Sequence, residues 1–468
     1  MHSESADPSL LSDLRSAIEL LERLDADRAL LERLPAPERE RLHRVVAQIF
    51  NPDPVARRAR LKALERERSA ADIERTTAVL DETGIRALRR KPVFTTPNYF
   101  PPPDAEQDAR QAPEPLHCYV CKQKYTQVHH FYDQMCPTCA ELNFYKRTEL
   151  ADLSGRVALL TGGRVKIGYQ TGLKLLRSGA HLIVTTRFPR DSAKREIFGL
   201  DLRHTPSVEA FCQELVNTHS RLDFIINNAC QTVRRPPEFY SHMMEGERAA
   251  LIGMPNEVKQ LLPAGPVAAP SAELSQLPLL PEELLSQKHL FPEGKLDQDL
   301  QQVDLRGRNS WRLLLAEVST VELLEVQLVN AVAPFVLNAR LKQLMLRTPE
   351  RDKHIVNVSA VEGQFYRKWK TTRHPHTNMA KAALNMMTRT AAADYQQDGI
   401  HMNSIDTGWV TDEDPIEIAA RKTAEQRFHP PLDIVDGAAR IVDPIISGFN
   451  TGVHAWGQFY KDYQPADW

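Results

Sequence analysis

One stretch of this chain restricts its fold more than any other. The apolar run Val157-Ala-Leu-Leu160 leads into Thr161-Gly-Gly-Arg-Val-Lys-Ile-Gly168 and then into the helical segment YQTGLKLLRSGA. A buried strand that passes through a glycine turn into a helix offers free backbone amides and a positive dipole end, the arrangement that holds a phosphate. Further apolar runs, HLIVTTR, DFIINNA and HIVNVSA, alternate with helical stretches toward the C-terminus. That alternation predicts an α/β fold, a Rossmann-like doubly wound parallel sheet over residues 150–468.

At 468 residues the chain exceeds one ordinary core and implies two or three domains. Residues 1–90 carry apolar positions at helical spacing, as in LLSDLRSAIELLERL and ERLHRVVAQIF, and predict a helical region whose charges alternate in sign. Residues 91–116 are dense in proline and read as a linker. The formal charge of -2 supplies no field to steer nucleic acid or a membrane surface, and no basic stripe stands out. The polar N-terminus and the lack of an 18-residue apolar run point to a cytoplasmic protein.

Cys118, Cys121, Cys136 and Cys139 form two Cys-x-x-Cys pairs within 117–145. Four thiolates at that spacing match the tetrahedral preference of Zn(II), and a closed thiolate shell makes the metal structural; iron is the alternative ion. His129 and His130 in the intervening loop could replace a cysteine ligand, but with four thiolates present they read as packing or surface residues. Cys212 and Cys230 read as isolated buried thiols.

The ordered landmarks resemble those of the short-chain dehydrogenase/reductase superfamily. Gly162, Gly163, Ile167 and Gly168 stand in its glycine fingerprint, with Lys166 where a middle glycine is usual, as in the pteridine-reductase-like members. Thr185 and Arg187 end the second strand where NAD-preferring members place an acid, so the resemblance implies NADP(H), with NAD as the alternative. Asp201-Leu202 matches the adenine-contacting pair, Asn228-Ala229 lies in the Asn-Asn-Ala signature, and Asn330 stands at the family's structural and proton-relay asparagine. Met402-Asn-Ser-Ile-Asp-Thr-Gly-Trp-Val-Thr411 resembles the segment that meets the nicotinamide carboxamide, which implicates Thr411.

The catalytic constellation departs from this pattern. Lys381 matches the family lysine, which holds the nicotinamide ribose, but the tyrosine four residues earlier is Thr377, an alcohol too weak an acid to replace it. The family serine falls on Ala360, one residue from Ser359. His376, His374 at a Tyr-x6-Lys distance, and Tyr366 are the substitute donors. An insertion of about 234–315 follows the fourth strand, where a lid or docking segment would border the ligand. The resemblance thus implies an NADP-dependent oxidoreductase with an altered active site and a small-molecule substrate. A catalytically inactive dinucleotide-binding scaffold is the rival, and a protein partner on the N-terminal helices or the insertion, like homo-oligomerisation, stays open.

Overall fold

The computed structural model describes residues 8–50, 54–97, 110–189, 197–248, 271–367, 370–426 and 429–468. Its contacts separate two compact units, 1–77 and 78–468, so the division falls earlier than the predicted end of the helical region at 90. The first unit consists of α1 (Pro8–Ala26), α2 (Ala36–Phe50) and most of α3 (Pro54–Asp81). Leu10, Leu14 and Ile18 share one face of α1, yet each is more than half exposed.

The second unit begins with α4 (Gly84–Arg89) and a two-stranded antiparallel ribbon, β1 (Arg110–His117) with β2 (Lys124–Val128). β1 occupies residues that the proline content had suggested as linker. Then come α5 (Pro137–Thr148), β3 (Val157–Thr161), α6 (Lys166–Arg177), β4 (His181–Thr186), β5 (Ile197–Gly199), α7 (Thr205–Thr218) and β6 (Phe224–Asn227). Within and after the insertion lie α8 (Ser241–Arg248), α9 (Ser271–Leu274), α10 (Thr320–Gln327) and α11 (Ala333–Met345). The chain ends with β7 (Lys353–Ser359), α12 (Pro375–Gln397), β8 (Ile400–Asp406), α13 (Ile416–Gln426), α14 (Ile434–Thr451), β9 (Phe459–Lys461) and β10 (Gln464–Ala466).

Eight strands form one sheet in the order β10-β9-β8-β7-β6-β3-β4-β5, parallel except for β10. Both faces are covered, which is why its strands read as continuous apolar runs rather than alternating ones. Leu159, Ile183, Ile225 and Ile355 pack with α7, α11 and α12. Their neighbours Ala158, Leu160, Val184 and Val356 point the other way, into α6 and α14. Each fully buried leucine or isoleucine contributes about 1.5–3 kcal/mol relative to exposure. Thr320–Met345 is apolar enough by composition to cross a membrane, and Leu337, Leu341 and Leu344 spend that apolarity inside the sheet core. The strand order reverses between β3 and β6, so the fold opens its ligand crevice at the carboxyl ends of these strands.

Candidate active site and tetracysteine centre

A cavity of about 920 Å³ lies at that edge, a volume in the range of small-molecule and cofactor sites. Its lining comes from strand ends: Gly162 after β3, Thr185 to Phe188 at β4, Leu200 to Arg203 after β5, Asn228 to Val233 after β6, Val358 to Glu362 at β7, Asp406 to Asp414 after β8, and Lys461 on β9. Twelve Lys and Arg side chains border it against six Asp and Glu, so the cavity itself is cationic in a chain that is nearly neutral.

The glycine turn has no room for side chains. Gly162 has φ +66, in the left-handed region, and a Cβ there would lie 2.9 Å from the Ala229 Cα. A Cβ on Gly168 would lie 2.1 Å from the Gly162 carbonyl oxygen and 2.6 Å from the Asn228 Nδ2. Asn228 donates from Nδ2 to the carbonyls of Thr161 and Gly162 at 3.1 and 3.2 Å, and the Ala229 amide donates to the Thr161 hydroxyl at 3.0 Å. These contacts hold the turn open at the start of α6, as a dinucleotide pyrophosphate requires. Gly162, Lys166, Ile167, Gly168, Thr185, Arg187, Asp201, Leu202, Asn228, Ala229 and Thr411 all border the cavity. Gly163 does not; a Cβ there would lie 2.8 Å from the Val184 Cγ1 and 3.1 Å from the Leu160 Cδ2.

The insertion reaches over this half of the cavity. The Arg187 guanidinium lies 4.4 Å from the centroid of the Tyr240 ring and donates to its hydroxyl at 2.6 Å. The Lys166 ammonium is 3.7 Å from Asp299, which burial pushes above its usual range. Asp201 is already claimed: Arg203 donates to it from Nε and Nη2 and bonds Glu325 as well. Arg234 adds bonds to Glu283 and Glu325. This buried ion network fixes the base of the insertion.

At the reaction end, Lys381 on α12 donates from Nζ to the Val358 carbonyl at 2.8 Å and borders the cavity. Ser359, the last residue of β7, also borders it and donates to the Asn385 Oδ1. Asn330 does not reach the wall. It sits in a π-helical turn, Leu328–Val332, where its side chain accepts from the Gln231 amide at 2.8 Å and donates to the Gln231 carbonyl at 3.0 Å. It is therefore a positioning residue for the loop after β6.

The two histidines separate clearly. His376 turns away from the cavity: it is 2 % exposed, with Nε2 3.2 Å from the Glu322 carboxylate of α10. His374 lies on the cavity wall, stacked flat on Trp311 at 3.9 Å between ring centroids. Its backbone has φ 42 and ψ 48, a left-handed conformation costly for a non-glycine residue. Its amide donates to the Leu313 carbonyl at 2.8 Å, and burial holds its pKa below the usual histidine range, against an opposing contribution from Asn378. Of the two, His374 borders the cavity and His376, the expected donor, does not, because α12 begins at Pro375 and directs position 376 toward α10. Thr377 is buried off the wall, and Tyr366 is exposed and outside it.

The four cysteine sulfurs, Cys118, Cys121, Cys136 and Cys139, lie within 4.8 Å of one another, a spacing that suits a tetrahedral thiolate shell. His129 is a packing residue: Nδ1 accepts from the Phe131 amide at 3.1 Å, and burial with neighbouring His130 pushes its pKa to about 3. The centre is built into the second unit. Arg147 at the end of α5 donates to Asp433 and Asp436 of α14 at 2.7–2.9 Å, and the Tyr132 hydroxyl bonds Asp436. Tyr119, between the first two cysteines, accepts the Trp409 amide on its hydroxyl at 3.0 Å and borders the cavity.

Two features escaped sequence reasoning. Beneath the site runs a buried chain of amides and hydroxyls: Asn227 donates to Asn338 and Asn357, Asn357 to Thr388, and Ser404 to Thr388. No motif spacing marks it, since its members come from five elements. Cys230, expected to be buried, is exposed and borders the cavity; it follows the Asn-Asn-Ala strand end, which points to the ligand.

Residues 310–430 match the family described as Enoyl-(Acyl carrier protein) reductase. An uncharacterized protein, R665, of Acanthamoeba polyphaga mimivirus is 29% identical over 374 residues, covering 74% of each chain. The Bos taurus dehydrogenase/reductase SDR family member 13 is 34% identical over 104 residues, 19% of this chain and 28% of that protein, so the chain matches less than a third of that relative's length. Among solved structures, a Pseudomonas aeruginosa RhlG/NADP active-site complex aligns with a TM-score of 0.41 at 18% identity, covering 66% of this chain and 94% of that one. With the switch-point cavity and the glycine turn, the matched segments place the resemblance of this chain with the short-chain dehydrogenase/reductase oxidoreductases.

Proposed function

We propose that the chain is an NADP(H)-dependent oxidoreductase of the short-chain type, in which His374 takes the place of the missing tyrosine. The observation that carries this reading is the shared wall: His374, Lys381 and Ser359 border the same cavity as the glycine turn. His374, at the N-cap of α12, precedes Lys381 by seven residues, and both border the cavity. NADPH bound there supplies a hydride. The residues around it do the rest. Gly162, Gly168 and the first amides of α6 hold the pyrophosphate, while Lys166 and Arg187 with Thr185 meet the remaining phosphate charge. Lys381 orients the nicotinamide ribose, and protonated His374 delivers a proton to the substrate oxygen. Trp311 and the left-handed backbone keep its ring turned to the cavity.

The tetracysteine centre is proposed to hold one structural zinc. A reducing compartment such as the cytoplasm would keep its thiols available to the metal. The test is NADPH oxidation across ketones, aldehydes, quinones and activated alkenes in wild type, Lys381→Ala, His374→Ala and His376→Ala. Turnover should fall in the first two variants, and His376→Ala should retain it if folded. NADPH that binds but never reacts would instead favour the inactive scaffold.

A further inference from the structure

The basic residues of the cavity fall into two sets. Arg164, Lys166, Arg187 and Arg203 surround the ends of β3, β4 and β5. Lys122, Arg367, Lys370 and Lys461 border the opposite end, beside β7 and β9. In the sheet, β9 and β4 stand five strand spacings apart, about 24 Å. A phosphate held by the first set therefore leaves the second without a ligand, while β7, with Ser359 and the nearby Lys381, stands only two spacings, about 10 Å, from β9.

The second set is anchored on two neighbours. The Lys122 and Lys461 ammonium groups lie 4.9 and 5.7 Å from the centroid of the same Tyr119 ring. Arg367 bonds the Glu362 carboxylate at 3.4 Å, and Lys370 donates to the Glu362 carbonyl. Two cations elsewhere on the wall, Arg312 and Lys422, both pair with Asp414, and within the set Lys461 pairs with Asp462. Among the described residues neither Lys122 nor Lys370 pairs with a carboxylate; each donates only to a backbone carbonyl.

We propose that this end of the cavity is an anion subsite, formed by Lys122, Arg367, Lys370 and Lys461, that takes a phosphate or carboxylate group carried by the substrate. The proposal rests on the oxidoreductase reading, since it places the reacting carbon of an anionic substrate at β7. It also assigns the tetracysteine loop a part in substrate recognition, because Tyr119 and Lys122 flank its first cysteine pair. Four cations on one wall of a cavity attract a shared anion through charge-assisted hydrogen bonds.

The test titrates inorganic phosphate, and separately acetate, into full-length protein with and without saturating NADPH, followed by calorimetry. Phosphate should bind in both states, and the Lys122→Gln/Arg367→Gln double variant should weaken it about tenfold with NADPH affinity changed less than twofold. Lys122→Arg should restore binding, which a folding defect would not. Acetate binding as tightly as phosphate assigns the subsite to carboxylates, and phosphate alone assigns it to phosphorylated substrates. Phosphate that binds only without NADPH, or equally to the double variant, overturns the proposal. Loss of NADPH affinity in the double variant gives these cations to the cofactor, which also overturns it. Failure of NADPH to bind wild type would refute the oxidoreductase reading, while the cofactor-free titration would still decide the subsite.

Discussion

The phosphate end and the reaction end of the cavity are built in different ways. At the phosphate end the backbone itself forms the site: glycines without space for a Cβ, amides at a helix start, and asparagine bonds that lock the turn. At the reaction end side chains form it, and their support comes from outside the sheet, from Trp311 near the end of the insertion and Tyr119 of the tetracysteine loop. A backbone site tolerates little substitution, whereas a side-chain site can exchange its acid if new elements hold the replacement.

Removing the proposed metal should break the comparison most severely. The thiolate shell is expected to supply about 10 kcal/mol of local folding energy, and its loss should release Tyr119 from the Trp409 amide. Chelation, followed by metal analysis and hydrogen exchange over 117–145, should show loss of protection there. Turnover should collapse while NADPH affinity changes much less. Next in size, Lys381→Ala should lower the rate about 10²–10⁴-fold if it acts in the reaction, as measured by steady-state NADPH oxidation. Gly168→Ala should act at the other end. Its Cβ would meet the Gly162 carbonyl, and a packing clash of about 1–3 kcal/mol would weaken NADPH about 10–100-fold in a fluorescence titration without changing the melting temperature as much. Asp299→Asn should produce the smallest effect: freeing Lys166 from its carboxylate should tighten NADPH by about two- to fivefold, a change consistent with an interaction below about 1 kcal/mol.

The phosphate end was legible because its chemistry depends on local order: a strand, glycines at fixed spacing, and a helix. Gly162, Gly168, Arg187 and Asn228 could be read directly, and so could the tetracysteine pairs. The reaction end was not, because its members meet only through tertiary packing. Trp311 stacks on His374 from 63 residues away in sequence, and the choice between His374 and His376 depends on the residue at which α12 starts. Composition likewise concealed β1 within a proline-rich span. Residues 249–270 of the insertion, read as a lid or docking segment, lie outside the described residues.

Acid affects the two ends of the strands in opposite ways, so stability has to be separated from activity. His354 and His401 at the starts of β7 and β8 cluster with His454, and burial lowers the pKa of all three. In the unfolded chain histidine titrates near about 6.5. Their stabilising contribution is therefore complete above that value and declines as pH falls below it, because the unfolded state then binds more protons. Melting temperature should drop on acidification below about pH 6.5, and His354→Gln should reduce that slope.

The most direct test of the account is the pH dependence of NADPH oxidation in wild type and His374→Gln, with unfolding monitored at each pH. A buried histidine acid has its pKa below the usual range, so the wild-type rate should rise as pH falls through and below about 6.5, until unfolding intervenes. His374→Gln should be slower and lack that acid limb, with NADPH affinity retained. A variant that keeps both the wild-type rate and its profile would contradict the assignment of His374 as the proton donor.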